Sequence, residues 1–310
     1  MENNEGRGKS DKLELCLQQN LYSFASQKKV TLDIRRKIFY FLSPDLRYLV
    51  RRIYYWPSDL LSSLKPKKNR IQPPKGMIYT GSGDFEKTGQ QFKEIFITHC
   101  GLLPDHHALD VGSGIGRIAI PLTEYISKEG RYDGFDIVKT GVDWCKKNIT
   151  SSYPNFRFTH IDLKNDLYNL TTDQKAQNFI FPYADHSFDL VILTSVFTHM
   201  MPEDMENYLA QVSRVLKPGG RCIMTLFILN EISTAKMKTH GGLVFNFDFG
   251  HYSLLDKDVK EANIAFKEEY IFHLLEKNKL RMKHIEYGYW SGREKQSCID
   301  FQDIVIVIKD

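Results

Sequence analysis

No apolar run in the 310-residue chain approaches the roughly 18 residues that a membrane-crossing helix needs. The first eleven residues, Met1 to Asp11, are polar and lack the apolar stretch of a secretory signal. The five cysteines (Cys16, Cys100, Cys145, Cys222 and Cys298) are scattered, with no CxxC pair. That pattern speaks for reduced thiols in a cytoplasmic setting and against a zinc site, and no metal is expected. No internal repeat, low-complexity tract or recognisable RNA-binding module is present. Apolar residues at 42% and charged residues at 26% fit an ordinary globular chain, long enough for one large core and an appendage.

The net charge of +4 is unevenly spread. Residues 28–75 hold thirteen Lys/Arg against three Asp, about +10, and leave the remainder near −6. This segment is also aromatic, with Ile38-Phe-Tyr-Phe-Leu42, Leu46-Arg-Tyr-Leu-Val50 and Ile53-Tyr-Tyr-Trp56 at helical spacing. Residues 1–75 are therefore expected to form a basic, mostly helical extension or cap, closed by Lys65-Pro-Lys-Lys-Asn-Arg70 and Pro73-Pro-Lys-Gly76. It could cap a site with a solvated basic face, grip an anionic or membrane surface, or dock nucleic acid, the last being less favoured.

From residue 76 to residue 310 strand and helix patterns alternate. This predicts an α/β, doubly wound, seven-stranded, mostly parallel sheet. Strands are expected at His107–Val111, Arg131–Ile137, Phe156–Ile161, Phe188–Leu193, Arg221–Phe227, Arg281–Tyr287 and Ile304–Lys309. Helices are expected near Gly116–Ser127, Thr140–Ile149, Pro202–Leu216 and Lys267–Lys277. Two long connections, 165–187 and 230–265, suit the positions where lids and substrate pockets occur, the second most of all.

The most informative stretch is Ala108-Leu-Asp-Val-Gly-Ser-Gly-Ile-Gly-Arg117, an apolar strand, a glycine turn and a helix start. A dinucleotide fingerprint would place glycine sixth, where Arg117 stands. Instead Gly112, Gly114 and Gly116 alternate, and Asp110 lies two residues before the first. A carboxylate there repels phosphate and suits a cation, which S-adenosylmethionine is. Asp136 ends the second strand 24 residues beyond Gly112, suited to two ribose hydroxyls, with Ile137 following. Asp162 and Leu163 end the third, suited to an adenine amino group and ring. Thr194 and Ser195 end the fourth.

These motifs, with Phe181-Pro-Tyr-Ala-Asp-His-Ser-Phe-Asp-Leu-Val191, Ser195-Val-Phe-Thr-His-Met200 and Val215-Leu-Lys-Pro-Gly-Gly-Arg221, resemble the class I S-adenosylmethionine-dependent methyltransferases over about residues 76–310. The resemblance implies that Asp110, Gly112, Ser113, Gly114, Gly116 and Arg117 hold the methionine end of S-adenosylmethionine. It also implies that Thr80, in Tyr79-Thr-Gly-Ser-Gly-Asp-Phe85, folds over the cofactor. His199 is the candidate base, against a reading in which it only stiffens or lines the site. His251 and Tyr252 are candidates for the acceptor pocket against a favoured reading as lid surface, and Trp290 and Arg293 are candidates against a plain turn with a packed tryptophan. The expected activity is transfer of a methyl group to oxygen or nitrogen of a small molecule. A protein or RNA acceptor docked on residues 28–75 and a catalytically silent cofactor-binding module are the alternatives. The Asn-Pro-Pro-aromatic tetrapeptide of amino-group nucleic-acid methyltransferases is absent after the fourth strand, where Thr194-Ser-Val-Phe197 stands.

Overall fold

The computed structural model describes residues 42–64, 71–79, 81, 83–240 and 243–310. Thr80 and most of the expected N-terminal extension lie outside them. The chain divides between Leu49 and Val50 into two units. The boundary falls inside helix α1 (Pro44–Ser63).

The larger unit is built on a seven-stranded sheet of order β10-β11-β5-β4-β1-β2-β3. The strands are β1 (His107–Val111), β2 (Arg131–Asp136), β3 (Phe156–His160), β4 (Phe188–Leu193), β5 (Leu216–Leu226), β10 (Leu280–Glu286) and β11 (Asp303–Lys309). All seven expected strands are present, shifted by a residue or so at their ends, except that β5 begins five residues early. It runs through the Pro-Gly-Gly turn, and its pairing with β4 shifts register between Phe188 and Leu190. Neighbours from β3 to β5 are parallel; β11 runs antiparallel between β5 and β10.

Alternation along the strands sorts the core into two layers. Leu109, Val111, Val191, Leu193, Cys222, Met224, Val305 and Val307 face one side, under helices α5 (Pro202–Val215) and α7 (Glu268–Lys277). Ala108, Leu190, Ile192, Ile223, Ile304 and Ile306 face the other, under α2 (Phe85–Thr98), α3 (Ala119–Leu122) and α4 (Lys139–Cys145). Helix α2 starts at Asp84, whose carboxylate accepts from Lys87 N at 2.9 Å, and buries Phe92, Ile95 and Phe96 at helical spacing. A Cβ on its Gly89 would stand 2.4 Å from the Arg117 carbonyl, so only glycine lets α2 press on the segment that carries Arg117. The helix expected over 116–127 is shorter than its pattern: only Ala119–Leu122 is α-helical, and turns complete the crossover.

The connection 230–265 is not a plain lid. Helix α6 (Glu231–Thr239) opens it, fixed by a reciprocal cap in which Asn230 Oδ1 accepts from Ser233 N at 3.0 Å and Ser233 Oγ accepts from Asn230 N at 2.9 Å. A second sheet follows, of order β6-β9-β8-β7, from β6 (Ile228–Leu229), β7 (Phe247–Asp248), β8 (Tyr252–Leu254) and β9 (Ile264–Lys267). Its own core gathers Phe227, Leu229, Met237, Phe245, Leu255, Ala265 and Trp290. No described helix is long and apolar enough to cross a membrane.

Candidate active site

Strand order reverses between β1's two neighbours, β2 and β4. In open α/β sheets ligands bind beyond the carboxyl ends of the strands at that reversal. A cavity of about 880 Å³ opens there.

The glycine turn forms its floor. Gly112, Gly114 and Gly116 have φ of 77°, 58° and 80°, left-handed values that side chains strain to adopt. Asp136, at the tip of β2, ties the turn down: its Oδ2 accepts from Gly114 N at 2.8 Å and its Oδ1 from Val138 N at 2.7 Å. Asp110 is fully buried at the end of β1, where Tyr132 Oη donates to its Oδ2. Its Oδ1 and the Ser113 Oγ have no hydrogen-bond partner among the described residues. Burial raises Asp110 to about 7, against the opposing Tyr132 bond, and Asp136 to about 6, against the two N–H bonds. Buried carboxylates held this way favour a cationic ligand, which restores the charge that burial penalises. Partnerless buried oxygens beside a side-chain-free turn fit the ammonium-bearing end of S-adenosylmethionine.

Gly112, Ser113, Arg117, Asp136, Ile137, Leu163, Thr194, Ser195 and His199 all line the cavity. Asp110, Gly114 and Gly116 do not line the cavity and stand behind the turn: a Cβ on Gly116 would sit 2.8 Å from Ile149 Cδ1. Arg117 lies close to Asp300 and Asp110, and burial lowers its pKa.

Asp162 corrects its expectation. It is exposed, its Oδ1 accepts from Asn169 Nδ2 at 2.8 Å, and it does not line the cavity. Asn169 also donates to the Leu163 carbonyl at 3.0 Å, and this turns the chain so that Leu163, Lys164 and Asn165 face the cavity in its place.

The four expected acceptor residues also lie elsewhere. Trp290 is completely buried in the core of the second sheet, its Nε1 donating to Asp303 Oδ2 at 2.7 Å. Arg293 stacks over the Tyr287 ring at 4.7 Å. His251 stacks on Tyr270 and Tyr252 on Phe249, at 5.0 Å and 5.2 Å between ring centroids. None of the four lines the cavity. Each belongs to an aromatic pair or cluster that a one-dimensional pattern does not reveal.

His199 sits on a single 3₁₀ turn after β4, with its Nδ1 2.9 Å from the carbonyl of Glu261. A carbonyl only accepts, so Nδ1 carries the proton and the lone pair of the neutral ring is on Nε2. Burial lowers the pKa of this histidine. Glu261 itself lines the cavity, and burial raises its carboxyl to about 7. Asp204, at the start of α5, is a further acid on the same wall, raised by burial.

On another side Ser195 takes a left-handed φ of 59°. Its N–H donates to Thr225 Oγ1 at 2.7 Å, and both hydroxyls donate to Gln302 Oε1, at 3.0 Å from Ser195 and 2.6 Å from Thr225. Glu261, Asp204, Asp300, Gln302 and Tyr79 thus line the site without having been singled out in sequence. Tyr79 had a signal, because it adjoins the Gly-Ser-Gly run. A Cβ on Gly141 would come within 2.1 Å of its hydroxyl, so that glycine makes room for the ring. Gln302 had none, because its place depends on β11 inserting beside β5.

Residues 109–224 match the family model of the methyltransferase domain. Among curated proteins, the chain is 28% identical over 164 residues to a tRNA N(3)-cytidine methyltransferase METTL2 of Gallus gallus, covering 52% of this chain and 41% of that one. It is 27% identical over 136 residues to the ubiquinone/menaquinone biosynthesis C-methyltransferase UbiE of Wigglesworthia glossinidia brevipalpis, covering 44% and 48%. The chain spans about half the length of the curated relatives it matches. Of solved structures, the PH0226 protein from Pyrococcus horikoshii OT3 shares the fold, with a TM-score of 0.52 at 15% identity, over 76% of this chain and 95% of that one. With the glycine turn, its two acidic supports and the match over the strands that carry them, residues 109–224 are a class I S-adenosylmethionine-dependent methyltransferase domain.

Proposed function

We propose that the chain transfers the methyl group of S-adenosylmethionine to a nitrogen or oxygen atom of a small acceptor seated beside His199. The observation that carries this reading is that His199 lines the cavity with its Nδ1 2.9 Å from the Glu261 carbonyl, so that the lone pair of the neutral ring lies on Nε2. A cavity of about 880 Å³ suits this reading, because ligand pockets run from about 300 to 1,000 Å³ and two ligands need the upper part of that range.

When bound, S-adenosylmethionine supplies a methyl group on a positively charged sulfur. Asp110, Ser113 and the glycine turn would hold its methionine end, Asp136 its ribose and Leu163 its adenine. His199 takes the proton that the acceptor atom loses, and Thr194 and Ser195 fix the floor on which the acceptor lies. His199→Ala is expected to lower kcat about 10²- to 10⁴-fold and leave the affinity for S-adenosylhomocysteine unchanged. Because burial lowers its pKa from 6.5, His199 is neutral at pH 7, so the acid limb of kcat lies below 6.5. A His199→Ala enzyme with wild-type kcat in a labelled-methyl assay rules this role out.

A second reading has one specific observation in its favour: the METTL2 relatives from Gallus gallus, Xenopus tropicalis and Danio rerio are tRNA N(3)-cytidine methyltransferases. A cytidine turned out of an RNA strand would then enter the same cavity. Labelled methyl appearing in tRNA transcripts, and in no member of a panel of small amines, phenols and carboxylates, decides for it.

A further inference from the structure

Over residues 50–64 the chain reverses the usual arrangement of an amphipathic helix. Apolar residues recur at helical spacing, and that stripe normally packs inward. Here Ile53, Tyr54, Trp56, Leu60, Leu61 and Leu64 are between 46% and 76% exposed. The polar side does the packing. Asp59 accepts from Lys75 N at 2.8 Å and from Gly76 N at 2.9 Å. A Cβ on Gly76 would stand 3.1 Å from Arg52 Cα, so the two backbones touch. The only buried residue of the whole helix is Pro44. Water is a poor environment for such a stripe, and monomeric proteins seldom leave one uncovered.

Charge indicates what covers it. Between Asp59 and Asp84 the sequence holds five Lys/Arg and no acid, four of them in the run Lys65-Pro-Lys-Lys-Asn-Arg70 directly after the helix. Apolar residues flanked by cations, with tyrosine and tryptophan among them, match the boundary between acyl chains and anionic headgroups. An RNA would satisfy the cations and leave isoleucine and leucine in water. We propose that the outward face of residues 50–64 seats the protein on an anionic lipid surface. This does not depend on which acceptor is methylated.

The full chain is mixed with vesicles of phosphatidylcholine alone, or with phosphatidylglycerol at about three parts in ten. The expected result is co-sedimentation with the anionic vesicles only, weakened by salt, with a blue shift of Trp56 emission that Trp56→Phe removes. Ile53→Asp with Leu60→Asp should lower the partition at least about tenfold, and Lys67→Glu with Lys68→Glu should weaken it and flatten its salt dependence. Affinity for S-adenosylhomocysteine stays unchanged in Trp56→Phe and in the Ile53→Asp, Leu60→Asp pair, because none of these three described residues lines the cavity. Four outcomes overturn the proposal. One is absence of binding to anionic vesicles at low salt. Another is Trp56 already shielded from iodide in the free protein, which means the chain covers its own stripe. The third is a dimer that the Ile53→Asp, Leu60→Asp pair dissolves. The last is a shift of Trp56 emission with RNA and none with vesicles.

Discussion

Replacing Asp136 with alanine is expected to weaken binding of S-adenosylhomocysteine at least about 100-fold and to cost about 2–5 kcal/mol of stability. The carboxylate is buried and accepts two backbone N–H groups, from Gly114 at 2.8 Å and Val138 at 2.7 Å. Alanine leaves both buried N–H groups without their carboxylate partner, and each costs about 1–3 kcal/mol. The glycine turn then keeps the bonds from Gly112 N and Ser113 N to the Phe135 carbonyl, at 2.9 Å and 3.0 Å, but loses the one that fixes Gly114. Isothermal calorimetry and urea unfolding measure the two effects; unchanged affinity would show that the turn is held by other groups. The same site carries a pH dependence. Burial raises Asp136 to about 6 and Asp110 to about 7, above the usual 3.8. Each raised value means that the ligand-free fold prefers the protonated acid. The penalty for ionising them is absent below 3.8 and grows as pH rises through the raised values. A cationic ligand offsets that penalty. The rise in melting temperature that the ligand produces should therefore be larger at about pH 7.5 than at about pH 5.

Asp303→Ala is expected to be the most destabilising single change away from the cavity, at about 3–6 kcal/mol. This residue begins β11 and is wholly buried. It accepts from Ile228 N at 2.6 Å, Gly288 N at 2.7 Å and Trp290 Nε1 at 2.7 Å. Three donors, from β6, the turn after β10 and the tryptophan at the centre of the second sheet's core, thus meet on one carboxylate. Removing it leaves all three unpaired and frees the second sheet from the first. A drop in the urea midpoint, with Trp290 emission moving to longer wavelength before global unfolding, is the expected result. A single unfolding transition at the wild-type midpoint would show that apolar packing of Phe227, Phe245 and Trp290 joins the two sheets without the carboxylate.

The glycine turn was legible because its requirement is local. Positive φ at three alternating positions leaves glycine as the residue of choice, and the apolar run before it can only be a buried strand. Acids at strand ends were legible in number but not in direction. Asp110 and Asp136 point under the turn because hydrogen bonds from Tyr132, Gly114 and Val138 claim them. Asp162 has the same local pattern and is drawn away by Asn169, seven residues on. Trp290, after the sixth expected strand, could be a pocket residue or a packed tryptophan; its ring belongs to a core made from residues between Phe227 and Ala265.

The sequence by itself determined the alternating strands and helices, the glycine turn and the cationic preference of its acids, because each rests on backbone geometry or charge within a few neighbouring residues. Tertiary structure alone decided that β11 enters the sheet antiparallel beside β5 and brings Gln302 to Ser195, and that Glu261, from the 3₁₀ turn between β8 and β9, meets His199. It also decided that the apolar side of residues 50–64 turns outward while Asp59 holds the helix by its polar side. The reason is physical: which face a side chain presents, and what it meets there, is set by the register and packing of segments far apart in the chain, and no window of sequence contains both partners.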